Sequence, residues 1–230
     1  MKISLVFLTF NEIVGLKKIF DKVPINYVDE VLAIDGGSND GTLEFFIEKD
    51  TLVFVQGIKG RGEAFKLAFE KAKGDALIFF SPDGNEDPSD ILKFRPLLEE
   101  GNDMVIATRM VKSAHNEEDD QLLKFRKWAN NIFNMIANVT WNKKIFVSDT
   151  INGYRAIRRS TWEDLALDSQ GYAIEYQSSI RAFKKGITIA EFPTWEGKRI
   201  DVNRSGSPSI ITGLVFIKTY ISDMFIGNNW

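Results

Sequence analysis

Short apolar runs alternate along the first half of the chain with segments whose apolar residues recur every three or four positions. The runs predict strands, and the periodic segments predict helices. The predicted strands lie at 3–10, 30–34, 52–55, 76–80 and 104–107, and the predicted helices at 14–20, 42–48, 63–73 and 88–98. Such alternation is typical of a mainly parallel sheet with helices on both faces, which is a three-layer α/β/α arrangement.

Polar and glycine-rich loops follow the first four predicted strands, at 9–12, 35–40, 57–62 and 81–85. Ligands of parallel sheets bind beyond the carboxyl ends of the strands. We therefore expect these four loops to converge on one edge of the sheet.

The second half is less regular. A polar, acidic stretch at 110–121 predicts a loop, and an amphipathic helix is expected after it, with Leu122, Phe125, Ile132 and Ile136 among its apolar positions. A helix is predicted at 174–185 and a strand at 188–192. Residues 209–230 are strongly apolar but include Lys218 and Asp223, which favours an interfacial helix or an oligomer contact over a bilayer-spanning segment.

Composition narrows the classes of protein. Hydrophobic content of 44% and charged content of 27% are ordinary for a globular protein. A net charge of −3 argues against a nucleic-acid partner. The chain has no cysteine, which excludes disulfides and thiolate chemistry, and its first residues lack the features of a signal peptide. We expect a cytoplasmic protein.

Two loops suit a nucleotide. Asp35 ends a predicted strand before a glycine-rich turn, where a carboxylate can accept hydrogen bonds from a base or a ribose, although the same run also suits a plain strand-turn-helix connection. The loop at 57–62 carries Lys59 and Arg61 among three glycines before a helix, and so offers N–H groups and positive charge to a pyrophosphate.

The run SPDGNEDP at 81–88 is the sharpest local feature. The carboxylate of Asp83 and the amide oxygen of Asn85 are ligands that a hard divalent cation prefers. The alternative is a Pro-Asp-Gly turn formed for local reasons alone.

The order of these motifs resembles the family-two glycosyltransferases of GT-A fold, and within them the dolichyl-phosphate mannosyltransferase-like branch. The resemblance extends over most of the chain, from LTFNE and LAIDGGSNDGT through KGRGEAFKLAFEKAKGDALIFF and SPDGN to VIATR and SDTINGYRAIRR. It implies a Rossmann-like, mixed but mainly parallel sheet in a single GT-A domain at 1–208. Residues 1–109 would form the nucleotide-sugar half and residues 110–208 the acceptor half.

The resemblance also implies site residues. The nucleotide-binding set is Thr9, Asn11, Glu12, Asp35, Gly60, Arg61, Ser81 and Pro82. Asp83, with Asn85, would hold Mg²⁺ or Mn²⁺, and Ser81 stands where the family has a second carboxylate. The acceptor-binding set is Arg109, Arg126, Asn130, Gly153, Tyr154, Arg155 and Arg204. Asp149 is the candidate for a catalytic base or an acceptor-positioning group.

The implied reaction is transfer, with inversion, from a nucleotide-diphosphate sugar, GDP-mannose or a UDP-sugar, to a polyprenyl-phosphate-like lipid at the cytoplasmic membrane face. Three alternatives stay open. One is a glycosyltransferase of the same fold that acts on a glycan or soluble hydroxyl, and another is a catalytically weak nucleotide-sugar-binding protein. The third, a sugar-phosphate nucleotidyltransferase, needs a glycine-rich basic loop after the first strand, where LTFNE stands instead.

Overall fold

Seven strands form one mixed sheet in a computed structural model of the chain, which describes residues 1–201 and 209–227. The strands are β1 (Ile3–Thr9), β2 (Glu30–Asp35), β3 (Leu52–Val55), β4 (Ala76–Phe80), β5 (Met104–Thr108), β6 (Arg155–Arg158) and β7 (Ile189–Pro193). Their order across the sheet is β3-β2-β1-β4-β6-β5-β7. β6 runs antiparallel to both neighbours, and the other pairings are parallel.

Helices cover both faces of this sheet. They are α1 (Ile13–Ile19), α2 (Thr42–Glu48), α3 (Arg61–Lys71), α4 (Ile91–Glu99), α5 (Phe125–Trp141), α6 (Arg159–Leu165), α7 (Ile174–Lys185) and α8 (Ser209–Ile226). Alternate side chains of β1 enter different cores, because successive strand residues point to opposite faces. Ile3, Leu5 and Phe7 pack with α1, α2 and α4, whereas Val6 and Leu8 pack with α3, α5 and α7. The predicted three-layer α/β/α class is confirmed.

Most predicted elements are present with ends shifted by one or two residues, but β6 was not predicted. It is four residues long and begins with Arg155, a charged side chain that lies fully inside the protein. Apolar periodicity cannot identify a strand of this kind, because the burial of Arg155 depends on hydrogen-bond acceptors elsewhere in the chain.

The exposed sides of α5 and α8 are unusually apolar. The apolar residues predicted for the first of these helices do not all face the core, since Phe125 and Ile132 are exposed. α8 packs on α5 and α7, partly through an ion pair between the buried Asp223 and Arg181. In the two described ranges no helix is both long and apolar enough to cross a membrane.

Candidate active site

The carboxyl ends of β1 to β4 open into a cleft of about 390 Å³. The loops that follow these strands converge there, as their order in the sequence predicts. The cleft brings together the predicted residues Thr9, Glu12, Gly60, Arg61, Ser81 and Asp83. It is therefore the candidate donor site.

Asp35 stands behind the cleft and shapes the turn that follows β2. Its fully buried carboxylate accepts hydrogen bonds from the amides of Gly37 and Ser38 at 2.8 and 2.7 Å, and from the hydroxyls of Ser38 and Thr9. Gly37 has φ +87°, a conformation that favours glycine. These bonds give Asp35 a supporting position, and its direct contact with a nucleoside stays a prediction.

The neighbouring predicted residues support the same wall. Asn11, at φ +55°, donates its amide to Ser38 and accepts from the amide of Asn39 through its side chain. The Glu12 amide donates to the Thr42 hydroxyl at 2.8 Å, while Glu12 itself lines the cleft. Pro82 is buried, and its carbonyl packs against Gly15, so it backs the cleft from behind.

The glycine-rich loop enters α3 under tight packing. Gly60 has φ +151°, and a Cβ there would lie 2.4 Å from the Gln170 carbonyl oxygen. The Gly62 amide donates to that same carbonyl at 3.0 Å. The N–H of Gly62 is therefore already occupied, and the prediction that the N–H groups of this loop bind a pyrophosphate is wrong for Gly62. Of the two cations in the loop, Lys59 has its Nζ 4.7 Å from the centre of the Phe10 ring, and both residues line the cleft.

Arg61 is held by Glu175, a residue of the first turn of α7 that the sequence analysis missed. The Arg61 Nε donates to the Glu175 Oε1. Burial acts to lower the pKa of Arg61, but the carboxylate of Glu175 outweighs it and the pKa is raised, so the guanidinium stays charged. The other oxygen, Glu175 Oε2, is buried and has no hydrogen-bond partner within the described ranges.

Gly153 packs against this pair, and its predicted contact with an acceptor stays a prediction. A Cβ on Gly153 would lie 1.9 Å from the Arg61 Nη2 and 2.9 Å from the Glu175 Oε1. Only a residue without a side chain leaves room for the guanidinium. The position therefore sets where the cation of the donor cleft stands.

Asp83 and Asn85 form the candidate cation site. Burial raises the pKa of Asp83, although its Oδ2 lies 3.1 Å from the Nε of Arg199, another cleft residue that the sequence analysis missed. The Asn85 Oδ1 is buried and, among the described residues, lacks a hydrogen-bond partner. An unpartnered buried amide oxygen beside a carboxylate fits a hard divalent cation.

The described residues contain no cluster of three or more acidic, histidine or cysteine side chains placed to hold a metal. A cation held by Asp83 and Asn85 would therefore depend on phosphate and water oxygens for its remaining ligands, which is usual for Mg²⁺. Ser81 is half-buried, and its amide donates to the Glu86 Oε2 at 2.8 Å.

Glu86 is a further carboxylate that sequence reasoning missed. Burial, together with the nearby charge of Asp83, raises its pKa to about 8. Its position one residue after Asn85 was the available signal, but nothing in the sequence shows that its carboxyl group is enclosed.

The predicted acceptor half has Arg109 at its centre. This guanidinium makes a two-pronged contact with Asp149, at 2.8 and 3.1 Å, and a third bond to Glu196 at 2.8 Å. Burial acts to raise the pKa of Asp149, yet Arg109 outweighs it and the pKa is lowered. A fully buried carboxylate with a lowered pKa is a poor proton acceptor, which argues against the catalytic-base role, and the positioning role of Asp149 stays a prediction.

Arg126 lies in the first turn of α5 and connects the acidic loop to this helix. Its guanidinium pairs with Glu117 at 2.5 Å and Glu118 at 2.9 Å, while about half of the side chain, 51%, stays exposed. Asn130 follows one turn later on the helix and is half-buried. Both are accessible enough to meet a ligand.

Two predicted acceptor residues are core residues. Tyr154 is fully buried between Phe80 and Phe94, and its hydroxyl donates to the Asp87 carbonyl. Arg155 is also fully buried. It donates to the hydroxyls of Ser178 and Ser179 and to the carbonyls of Thr150, Asn152 and Glu175. In this structure neither can touch an acceptor. Arg204 lies outside the described residues.

Comparison with known proteins agrees with the geometry. The profile described as glycosyl transferase family 2 matches residues 4–165. The chain is 28% identical over 214 residues to glycosyltransferase AglJ of Haloferax volcanii, covering 92% of this chain and 69% of that protein. It is 26% identical to the dolichol-phosphate mannosyltransferase of Pyrococcus furiosus, over 86% of this chain and 57% of the relative.

A solved structure has the same fold. Glucosyl-3-phosphoglycerate synthase from Mycobacterium tuberculosis, crystallised with Mn²⁺, UDP and glucosyl-3-phosphoglycerate, superposes with a TM-score of 0.73. The superposition covers 96% of this chain and 79% of that one at 21% identity. This similarity supports the GT-A fold.

Proposed function

The chain belongs to glycosyl transferase family 2 and is a glycosyltransferase, and from that premise we propose that it moves a sugar from a nucleotide-diphosphate donor to a polyprenyl-phosphate-like lipid. The donor would be GDP-mannose or a UDP-sugar. The observation that carries the proposal is one cleft at the carboxyl ends of β1 to β4 in which Arg61 and Asp83 both stand.

The cleft suits a leaving nucleotide diphosphate. Negative charge gathers on the diphosphate as the glycosidic bond breaks, and fixed positive charge nearby stabilises it. Arg61 supplies one such charge, held by Glu175. Mg²⁺ or Mn²⁺ held by Asp83 and Asn85 would supply another as a Lewis acid. The proposal also draws on the UDP and Mn²⁺ named for the M. tuberculosis enzyme.

The unpartnered Glu175 Oε2 is a candidate contact for the sugar. A buried carboxylate oxygen without a donor costs free energy unless a ligand supplies one. A sugar hydroxyl entering beside Arg61 would donate to it. In this role Glu175 would both position the cation and help select the donor.

The acceptor side favours a substrate that is already ionised. A hydroxyl acceptor needs a base to take its proton, whereas a lipid phosphate carries a nucleophilic oxygen. Asp149, the candidate base, is committed to Arg109. Arg126, whose side chain is half-exposed, can instead bring positive charge to an acceptor, so phosphate is the acceptor chemistry we propose. Relatives named polyprenol monophosphomannose synthase and undecaprenyl-phosphate mannosyltransferase support this acceptor. We propose that the transfer takes place at the cytoplasmic membrane face.

Nucleotide binding is the first test. The purified chain is heated with UDP, GDP, CDP or dTDP, each with Mn²⁺ and with EDTA, because a ligand that binds only the folded state raises the melting temperature. We expect one nucleotide to stabilise the protein, and only with the metal. Asp83→Asn should lose that shift.

Asp87→Asn is the matched control, because Asp87 lies in the same turn but caps a short helix through Ser89, a task asparagine also performs. It should keep the nucleotide shift. If Asp83→Asn keeps it too, the assignment of the cation site is wrong.

Transfer is the second test. Radiolabelled sugar from the selected donor should move to undecaprenyl phosphate in detergent, and not to free undecaprenol. Labelling of a glycan or a soluble sugar instead, with none on the lipid phosphate, would replace the proposed acceptor with a hydroxyl.

A further inference from the structure

Two neighbouring helices present apolar side chains to solvent. On α5 the exposed apolar residues are Phe125, Trp128, Ile132, Met135 and Val139. Spacings of three and four residues put them on one side of the helix. The opposite side of α5 contains Ala137, Asn134 and Asn138, which are buried. The apolar stripe of this helix therefore faces away from the core.

α8 shows the same inversion. Its buried positions include Asp223, which pairs with Arg181 at 2.8 Å inside the protein. Its exposed positions include Ile211, Leu214, Ile217, Ile221, Met224 and Phe225. A surface helix in water normally has the reverse arrangement, with the carboxylate outside. Phe225 is 82% exposed.

The two helices lie against each other. Phe133 packs on Phe216 with 5.3 Å between ring centres, and the hydroxyls of Thr140 and Tyr220 are 2.9 Å apart. Their exposed apolar residues thus belong to one side of the molecule, which we call the α5–α8 face. Exposed apolar patches of this kind mark an interaction site.

Lysines lie around the α5–α8 face, whereas Arg126 and Lys127 at the start of α5 are paired with carboxylates of the preceding loop. α5 contains Arg126 and Lys127 and no acidic residue, while α8 contains Lys218 and only the buried Asp223. Lys143 and Lys144 come just after Asn142, which caps the end of α5, and precede the exposed Ile145 and Phe146. The protein as a whole has a net charge of −3, so this positive bias is local.

We propose that the α5–α8 face docks on an anionic lipid bilayer, with its apolar side chains in the headgroup and acyl boundary and its lysines near lipid phosphates. The inference rests on the proposed lipid-phosphate acceptor, because α5 also carries Arg126 at its first turn, and docking would bring that cation to the membrane surface.

Vesicle sedimentation tests the docking without any donor or acceptor. The full chain is mixed with vesicles of phosphatidylcholine alone or with added phosphatidylglycerol. We expect strong binding to the anionic vesicles, weakened by salt. Leu214→Ser combined with Phe225→Ser should lower the partition coefficient by about a hundredfold, since each large apolar side chain contributes about tenfold.

The control variant carries Ile47→Ser and Leu92→Ser. These residues are exposed on α2 and α4, which cover the other face of the sheet, and their loss should leave vesicle binding unchanged. The nucleotide-dependent rise in melting temperature verifies that both variants fold. Lys218→Glu should weaken binding to the anionic vesicles only.

Three results would overturn the inference. The first is a wild-type chain that stays in the supernatant with both kinds of vesicle. The second is an equal effect of the face variant and its control. The third is a dimer in light scattering that the face variant dissociates while vesicles bind neither protein. Transfer to lipid phosphate in detergent is measured separately, so failed docking with intact transfer leaves the proposed function standing.

Discussion

The proposed donor edge and the proposed acceptor side differ in how their charged residues are held. At the donor edge, loops after four parallel strands place Thr9, Arg61 and Asp83 around one cleft. On the acceptor side, the predicted arginines are dispersed: Arg155 is buried, and Arg126 pairs with two carboxylates on the surface. Residues of one chemical type thus have different tasks in the two regions.

The difference follows from what organises each region. Consecutive parallel strands bring their carboxyl ends to one edge, so strand order alone places the donor residues. The acceptor side is built from a loop, a helix and the antiparallel β6, whose positions depend on long-range pairing. Whether an arginine there contacts a ligand or stabilises the core depends on residues that are distant in the sequence.

Of the changes that we predict, replacing Arg155 should have the largest effect. A small effect would contradict the difference between the two regions. Arg155→Met removes the donors to Ser178 and Ser179 and to three carbonyls inside the protein. We expect a loss of about 3 to 5 kcal/mol in the free energy of unfolding by urea. Arg126→Met, at a half-exposed site, should cost less than about 1 kcal/mol. Equal small losses would return Arg155 to the acceptor site.

The fold and the convergence of four loops on one edge of the sheet could be predicted from the sequence, whereas the burial of Arg155 and the ion pairs of Arg126 could not. Asp83 could be placed because it ends a strand pattern beside a glycine turn. Glu175 could not, because it approaches Arg61 from the first turn of α7, more than a hundred positions away. Nothing in the sequence around Asp149 shows that Arg109 donates hydrogen bonds to both of its carboxylate oxygens. Pairing and burial depend on tertiary structure, which local pattern does not contain.

Glu86 provides a pH-dependent test of the donor edge. Folded Glu86 holds its proton up to about pH 8, while the unfolded chain releases it near the usual pKa of 4.5. Between these values the folded state binds more protons, so the free energy of unfolding falls as pH rises and levels off above the folded pKa.

Glu86→Gln cannot ionise and should remove that slope. In EDTA, above about pH 8, the variant should be more stable than the wild type by up to about 5 kcal/mol, the limit that the two pKa values set. Glu70→Gln, on the exposed side of α3, is the control and should keep the wild-type slope. Parallel pH profiles for wild type and Glu86→Gln would show that the carboxyl group is hydrated and not enclosed.

Arg126→Met separates acceptor binding from donor binding. We expect the KM for lipid phosphate to rise by about ten- to a hundredfold, because a charge-assisted contact to phosphate is lost, while the nucleotide-induced thermal shift stays unchanged. Lys127→Met is the control, since Lys127 is paired with Asp119 one position further around α5. A weaker nucleotide shift in Arg126→Met would move Arg126 to the donor site.

Gly153→Ala is the finest test, because Gly153 was predicted on the acceptor side and lies against a donor-side ion pair. The added Cβ would come within 1.9 Å of the Arg61 Nη2, so the guanidinium must shift. We expect nucleotide-diphosphate affinity to fall about tenfold, as a charge-assisted contact is displaced, while the KM for lipid phosphate is unchanged. Gly57→Ala is the control, since no described atom would lie within 4 Å of the Cβ that the alanine adds. If Gly153→Ala instead raises only the KM for the acceptor, Gly153 belongs to the acceptor region, as predicted from the sequence. Arg61 would then adjust to the added methyl group and keep its contact with the diphosphate.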